Sequence, residues 1–95
     1  MRTQTEGNDL DVGLLRTFLA LVEHGSMAKT AIAIDKTQPT ISQQMRRLEK
    51  IVGRKLFVRG RNGAELTGHG HVLVTYAHRV VDLNAEILLA FESRM

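Results

Sequence analysis

The sequence predicts a mainly α-helical fold in which three short helices are followed by a β-hairpin and one long final helix. Over most of the chain, apolar residues recur at intervals of three and four, which is the period of a helix with one buried face. Between residues 55 and 66 this period is lost, and Asn62-Gly63 separates two short apolar runs. An Asn-Gly pair in that setting is a strong hairpin signal.

The first predicted helix runs over Asp11–His24, because its apolar residues follow helical spacing and Gly25 supplies a stop. Ser26 has the short hydroxyl side chain of a helix N-cap and begins a second, short helix. The apolar face of this second helix consists of Met27, Ala31 and Ile34.

A tight connection at Asp35-Lys36 leads to a third predicted helix, which Thr37 caps. Pro39 lies in its first turn, where the missing backbone N–H costs nothing, and Gly53 ends the helix. Its buried stripe repeats at i, i+4, i+7 and i+11 and consists of Ile41, Met45, Leu48 and Val52.

After the hairpin, Thr67 caps a long final helix whose two glycines are confined to the first turn. We predict a disordered tail at residues 1–9, a domain at 10–66 and a linker and dimerisation helix at 67–95. The dimerisation residues expected on that helix are Leu73, Tyr76, Ala77, Val80, Asn84, Ile87, Leu88 and Phe91.

A short helix, a tight turn and a second helix form a helix-turn-helix, whose second helix enters the major groove of DNA. The hairpin that follows would be its wing. The predicted fold is therefore a winged helix-turn-helix (three-helix core plus β-hairpin wing) followed by a long linker helix.

The outward face of the third helix supports this function, since its first two turns carry short hydrogen-bonding side chains and no acid. Gln can bond adenine in two places, Arg can bond guanine, and hydroxyls near helix N-termini suit phosphates. We expect DNA contacts from Ser26, Lys36, Thr37, Gln38, Pro39, Thr40, Ser42, Gln43 and Arg46, and from Arg59 and Arg61 of the wing.

Charge is concentrated in the same region. The net charge is only +3, but eight of the thirteen Lys and Arg residues lie between Lys36 and Arg61, against the single acid Glu49. Such an excess is expected of a face that binds a polyanion. The alternative is a merely solvated surface. For Lys29, Arg47, Arg54 and Lys55 a peripheral phosphate contact and a bare surface charge remain equally open.

The chain resembles the N-terminal domain of LysR-type transcriptional regulators from about Leu10 to Phe91. The most specific part is Gln-Pro-Thr-Ile-Ser at 38–42, followed by Gln44, Leu48-Glu49 and Leu56-Phe57. The resemblance implies linker helices that pair in an antiparallel manner and set the separation of two recognition helices. It also implies DNA contacts at the start of the third helix and in the wing, and adds Asn62 to the expected contacts.

Several positions depart from the family pattern. Met27 and Thr30 stand where Phe and Ala are common, which should only adjust packing. Lys36 replaces a frequent apolar residue and would add a phosphate contact, while Gln43 replaces a common Arg and should shift preference away from guanine. The C-terminal domain that binds a small-molecule co-inducer in this family is absent, which leaves open an excised fragment or a naturally short protein.

The partners expected are double-stranded DNA and a second copy of the chain, since the distal apolar stripe of the last helix needs cover. A longer form could assemble as a tetramer. Alternatively, that stripe folds back or frays. A different function is also open, in which the chain pairs with a full-length regulator and inhibits it. Another winged-helix family, such as the molybdate-responsive regulators, is disfavoured by the Gln-Pro-Thr-Ile-Ser run.

Catalysis is not expected, because the histidines His24, His69, His71 and His78 are not spaced as a shared metal or catalytic site. We expect no cofactor, no metal and no small-molecule effector site in this chain. The absence of cysteine, of a signal peptide and of a membrane-spanning run leads us to expect a soluble, cytoplasmic protein without membrane contacts.

Overall fold

The computed structural model of this chain describes residues 9–61 and 63–92. The tail predicted at 1–9 therefore lies outside the described residues except for Asp9, and so does Asn62. In chain order the elements are α1 (Val12–His24), α2 (Met27–Ala33), α3 (Gln38–Val52), β1 (Phe57–Gly60), β2 (Gly63–Leu66) and α4 (Gly68–Glu92). The predicted order of elements is confirmed.

Side-chain caps define the starts of the first three helices. The Asp11 carboxylate accepts from the Gly13 N–H at 2.7 Å, which makes Asp11 the cap and not the first helical residue. The Ser26 hydroxyl accepts from the Lys29 N–H at 3.1 Å, and the Thr37 hydroxyl accepts from the Thr40 N–H at 3.2 Å. The caps predicted at Ser26 and Thr37 are confirmed.

Helix α1 lies at the centre of the domain and packs against α2, α3 and α4. The ring of Phe18 on α1 lies 5.5 Å from that of Phe57 on β1, centroid to centroid. Because each surrounding element contributes to one core, the helix-turn-helix and the wing are held as a single body. The buried apolar residues are Leu14, Leu15, Phe18, Leu21, Ala31, Ile41, Met45, Leu48, Leu56 and Ala77.

The hairpin pairs Phe57 with Leu66 at its base and Gly60 with Gly63 at its tip. The first strand begins at Phe57, two residues after the helical period is lost at residue 55. The reason is that the Leu56 backbone has other partners: its N–H donates to Glu49 and its carbonyl accepts from the Thr67 N–H at 2.9 Å. Leu56 therefore belongs to the core and to the joint before α4.

Helix α4 begins at a close approach to the hairpin. The Thr67 hydroxyl accepts from the Gly70 N–H at 3.0 Å and donates to the Lys55 carbonyl at 2.6 Å, which confirms Thr67 as the cap. At Gly70 a Cβ would collide with the Leu56 carbonyl oxygen, so glycine allows the helix to lie against the strand. The proximal half of α4 is thus part of the domain body.

The prediction that Ala77 is a dimerisation residue is wrong. Ala77 is 0% exposed and belongs to the core, and Leu73 is half-buried against that core. The physical reason is that α4 has two apolar faces. One face packs on the domain through Leu73 and Ala77, and the other is exposed. The predicted dimerisation residues included members of both faces.

Candidate nucleic-acid interface

The first turns of α3 present the polar surface that the sequence predicts. Gln38, Pro39 and Gln43 are exposed, while Thr40 and Ser42 are partly buried. No acidic residue occurs in the first turn. Helix N-termini favour negative charge because their first N–H groups and the helix dipole point outward. This end of α3 can therefore approach a polyanion closely.

Hydrogen bonds divide the hydroxyl groups of this surface by role. Thr37 accepts from the Thr40 N–H and donates to the Thr40 hydroxyl at 2.9 Å, so its single proton is engaged within the helix cap. The Thr40 and Ser26 hydroxyls act only as acceptors in the described bonds, which leaves each of them a proton to donate. Thr40 and Ser26 can therefore donate to an external acceptor more readily than Thr37, and so can Ser42, whose hydroxyl accepts from Arg46.

Arg46 is oriented by its own helix. Its Nη1 donates to the Ser42 hydroxyl at 2.8 Å, one turn earlier. A guanidinium has five N–H donors, so most of them remain able to bind another group. Arg46 is exposed at the edge of a cleft that lies between α3 and the wing.

This α3–wing cleft has a volume of about 570 Å³. Five of the predicted contact residues line it and are brought together there, namely Ser26, Gln38, Ser42, Arg46 and Arg59. Met27, Met45, Phe57 and Val58 supply apolar walls. Apart from Asn62, which is not among the described residues, the remaining predicted contacts lie outside the cleft, and these are Lys36, Thr37, Pro39, Thr40, Gln43 and Arg61.

The wing is held to the helices at both of its strands. The Glu49 carboxylate on α3 accepts from the N–H groups of Leu56 and Phe57, at 2.8 and 3.3 Å. On the other strand the Ala64 N–H donates to the Gly25 carbonyl at 3.2 Å. At Gly63 a Cβ would lie 2.7 Å from that carbonyl oxygen, so glycine permits this contact.

Glu49 is the functional-site residue that the sequence did not reveal. In the sequence it is only the single acid within a basic stretch, seven residues before Leu56. Its role depends on the turn after Gly53, which returns the chain alongside α3 and brings the Leu56 and Phe57 N–H groups to the carboxylate. No local pattern reports that contact.

The second candidate surface is an exposed apolar stripe on α4, which we name the linker stripe. Its members are 40–69% exposed. Four of the eight residues predicted for dimerisation belong to it, and Val72 and Leu83 were missed. Leu88 and Leu89 are also exposed but lie on other sides of the helix, and Asn84 is partly buried. The linker stripe consists of Val72, Tyr76, Val80, Leu83, Ile87 and Phe91.

Within residues 9–61 and 63–92, no helix is long and apolar enough to cross a membrane. Within the same ranges, no cluster of three or more His, Cys, Asp or Glu side chains could hold a metal ion.

A sequence profile described as "Bacterial regulatory helix-turn-helix protein, lysR family" matches residues 12–71. The match includes α1, α2, α3, the wing and the first residues of α4. The chain belongs to the LysR family.

Curated LysR relatives extend the match further along α4. The chain is 41% identical over 78 residues to the HTH-type transcriptional regulator PecT of Dickeya dadantii (strain 3937), which covers 82% of this chain and 25% of PecT. It is 37% identical over 84 residues to the regulator DgdR of Burkholderia cepacia, covering 88% of this chain and 29% of DgdR. The chain thus spans about a quarter of the length of these relatives.

Solved LysR-family structures share the architecture. The CbnR DNA-binding domain in a complex with DNA matches with a TM-score of 0.84 and 32% identity, over 90% of this chain and 98% of that domain. The BenM DNA-binding domain in a complex with benA site 1 DNA matches with a TM-score of 0.78 and 30% identity, over the same shares. The likeness includes the winged helix-turn-helix and the long final helix.

Proposed function

We propose that this chain is the sequence-specific, double-stranded DNA-binding domain of a LysR-type transcriptional regulator, with α3 in the major groove and the wing on the flanking groove or backbone. One observation carries the proposal: the acid-free first turns of α3 border a cleft in which Gln38, Arg46 and Arg59 converge. We divide the chain into the DNA-binding domain at 10–66 and the linker helix at 67–95.

Base reading is assigned to the exposed amides and to Arg46. A Gln side chain can donate to and accept from adenine, and an Arg fork can donate twice to guanine. Gln38 and Gln43 are exposed on successive turns of α3. Arg46 lies one turn further on and is already oriented by Ser42.

Phosphate contacts are assigned to the periphery of the same face. Thr40 and Ser26 have hydroxyl protons available, and both belong to helix N-terminal turns. Lys36 is exposed beside the start of α3. Contacts of this kind position a protein on the duplex and carry no sequence information.

The wing would contribute through Arg59 and Arg61, both of which are exposed. Arg59 lines the α3–wing cleft, so one strand of the duplex backbone seated there would lie between it and Arg46. Asn62, beyond the described residues, stays a predicted contact. Arginine beside or within a minor groove gains from the strong negative potential there.

A homodimer through α4 is the proposed assembly, because the linker stripe has the symmetry that a two-fold axis requires. Its members are spaced by four, four, three, four and four residues, a pattern that reads the same in both directions. In an interface with two-fold symmetry, residue i contacts residue j and residue j contacts residue i. A palindromic stripe on an antiparallel pair of helices meets that condition at every position.

The register of the two antiparallel α4 helices follows from the centre of the linker stripe. With the axis between Val80 and Leu83, these two residues face each other across the pair, and Tyr76 faces Ile87 of the second copy. Val72 then faces Phe91 at each end. The repeat places three turns in eleven residues, slightly more residues per turn than a straight helix has, so the pair is expected to have a gentle right-handed supercoil.

The same stripe could pair with a longer LysR regulator, so inhibition of such a protein stays a prediction. Pairing through α4 alone does not account for the acid-free first turns of α3 or for Arg46 and Arg59 in the cleft. DNA binding is therefore the proposed function. We further propose that this chain has no enzymatic activity, cofactor or effector site. It is proposed to lie in the cytoplasm, with the chromosome.

Fluorescence anisotropy on a labelled duplex, titrated with the protein at increasing salt, tests the proposal. Phosphate neutralisation releases counterions, so the logarithm of the binding constant should fall linearly and steeply with the logarithm of salt concentration. Affinity that does not change with salt would contradict the DNA-binding role of the basic face.

A further inference from the structure

Glu49 is placed where a negative charge is unfavourable for the proposed function. It is the only acid between Lys36 and Arg61, and it lines the α3–wing cleft beside Arg46 and Arg59. A carboxylate there repels the phosphates that the cleft would receive. Its presence therefore calls for a compensating role.

The contacts of the carboxylate supply that role. Oε2 accepts from the Leu56 N–H at 2.8 Å and from the Phe57 N–H at 3.3 Å, and Oε1 lies 3.7 Å from the Lys55 Nζ. The Glu49 side chain is only 16% exposed, so these bonds are partly shielded from water. Hydrogen bonds to a charged acceptor are stronger than those between neutral groups.

The residues that Glu49 holds lead directly into the wing. Phe57 is the first residue of β1, and Arg59 follows two residues later on the same short strand. The second strand is anchored separately, to the Gly25 carbonyl. With β2 held there and with Leu56 and Phe57 packed in the core, the Glu49 contact is the hydrogen-bonded link between the start of β1 and α3.

We propose that Glu49 is a positioning residue that couples the recognition helix α3 to the wing and determines where Arg59 meets DNA. The inference rests on the proposed function, because it requires a wing that contacts DNA. Glu49 itself makes no contact with DNA in this account. Its carboxylate accepts from two backbone N–H groups and lies near one lysine.

Neutralising the carboxylate distinguishes the positioning role from that of a bystander, meaning an acid that only repels phosphate and does not hold the wing. Glu49→Gln keeps one oxygen to accept from the Leu56 and Phe57 N–H groups, but it loses the negative charge that strengthens both bonds and the oxygen that faces Lys55. If Glu49 were a bystander, removing its charge would raise affinity for every duplex. The preferred duplex is the one that selection from a random pool enriches. If Glu49 positions the wing, affinity for this duplex falls and the contribution of Arg59 is lost with it.

The test is a double-mutant cycle measured by fluorescence anisotropy on the preferred duplex, with Glu49→Gln, Arg59→Ala and the double variant. Arg59→Ala should weaken binding about tenfold in the native background and less than about threefold beside Glu49→Gln. Equal losses in the two backgrounds would overturn the coupling. If Arg59→Ala has no effect in the native background, the proposed wing contact fails and this inference fails with it.

A measurement without DNA tests the hydrogen bonds that Glu49 accepts from the Leu56 and Phe57 N–H groups. Amide hydrogen exchange at Leu56 and Phe57 should be faster in Glu49→Gln than in the native protein, with α3 unchanged. Unchanged exchange at both amides would overturn the inference. Glu23→Gln, which removes an exposed acid from α1, is the matched control and should alter neither readout.

A second variant covers the case in which Glu49→Gln does not fold. Glu49→Asp keeps the charge but shortens the side chain by one methylene, so it cannot reach both N–H groups. Positioning predicts that Glu49→Asp also lowers the effect of Arg59→Ala to less than about threefold. If Arg59→Ala still weakened binding about tenfold beside Glu49→Asp, the inference would be contradicted.

Discussion

The Ser42 hydroxyl accepts a hydrogen bond of 2.8 Å from Nη1 of Arg46, one helical turn further along α3. Both side chains line the α3–wing cleft. An arginine that is already restrained loses less rotamer freedom when it binds, so part of the entropic cost of recognition is removed in advance. Ser42 is therefore expected to act on DNA affinity through Arg46.

Removing the Ser42 hydroxyl tests this arrangement. Ser42→Ala should weaken binding to the preferred duplex by about 0.5–1.5 kcal/mol, the range of one net hydrogen bond. Combined with Arg46→Ala, the same change should have much less effect, as an anisotropy double-mutant cycle would measure. Equal losses in both backgrounds would instead indicate that Ser42 bonds a phosphate itself.

Gln43 is expected to read a base edge. Gln43→Ala should cost about 1–3 kcal/mol on the preferred duplex and relax the requirement at one base position. Competition titrations with duplexes substituted at each position would measure both effects. Glu23→Ala, an exposed change on α1 at a residue with no proposed DNA contact, is the control. If Gln43→Ala weakened binding to random DNA equally, Gln43 would not be reading sequence.

The linker stripe predicts that a charge at its centre dissociates the dimer. In the proposed register Leu83→Glu places two carboxylates close together across the two-fold axis, in contact with Val80. Sedimentation velocity should then show a monomer where the native chain shows a dimer. Leu89→Glu is the matched control, because Leu89 is similarly exposed on the same helix but lies off the stripe. A dimer that survives Leu83→Glu, or that Leu89→Glu disrupts equally, would contradict this register.

The start of α4 predicts a contrast between two glycines. Gly70→Ala should lower the free energy of unfolding by about 1–3 kcal/mol, because the added Cβ would collide with the Leu56 carbonyl and with the Leu66 side chain. Gly68→Ala has nothing within 4 Å and should be neutral or slightly stabilising. Thermal unfolding followed by circular dichroism measures both. Equal effects would show that the close approach at Gly70 is not required.

The helix caps, the helix ends and the hairpin were predictable because each depends on a few neighbouring residues. Thr37 and Pro39 mark the start of α3, and Gly53 ends it with a φ of 74°. The exposed character of Gln38 and Gln43 followed from the stripe that α3 buries. Local patterns of this kind carry enough information to locate most of the proposed DNA-binding face.

The contacts that the sequence could not predict are those set by packing between elements. Ala77 and Val80 are both apolar and three residues apart, yet Ala77 is buried in the core while Val80 is exposed. Which of two apolar faces of α4 packs on the domain depends on where Thr67 and Gly70 place the helix. Glu49 was missed for the same reason, since its partners come close only after the chain turns at Gly53.

Selection of bound sequences from a random duplex pool at physiological salt tests the central claim most directly. The account predicts enrichment of a defined sequence, arranged as two inverted half-sites that match the two-fold dimer. The enriched duplex should bind more tightly than a scrambled duplex of the same composition. Recovery of a pool without any preferred sequence would contradict base reading by α3.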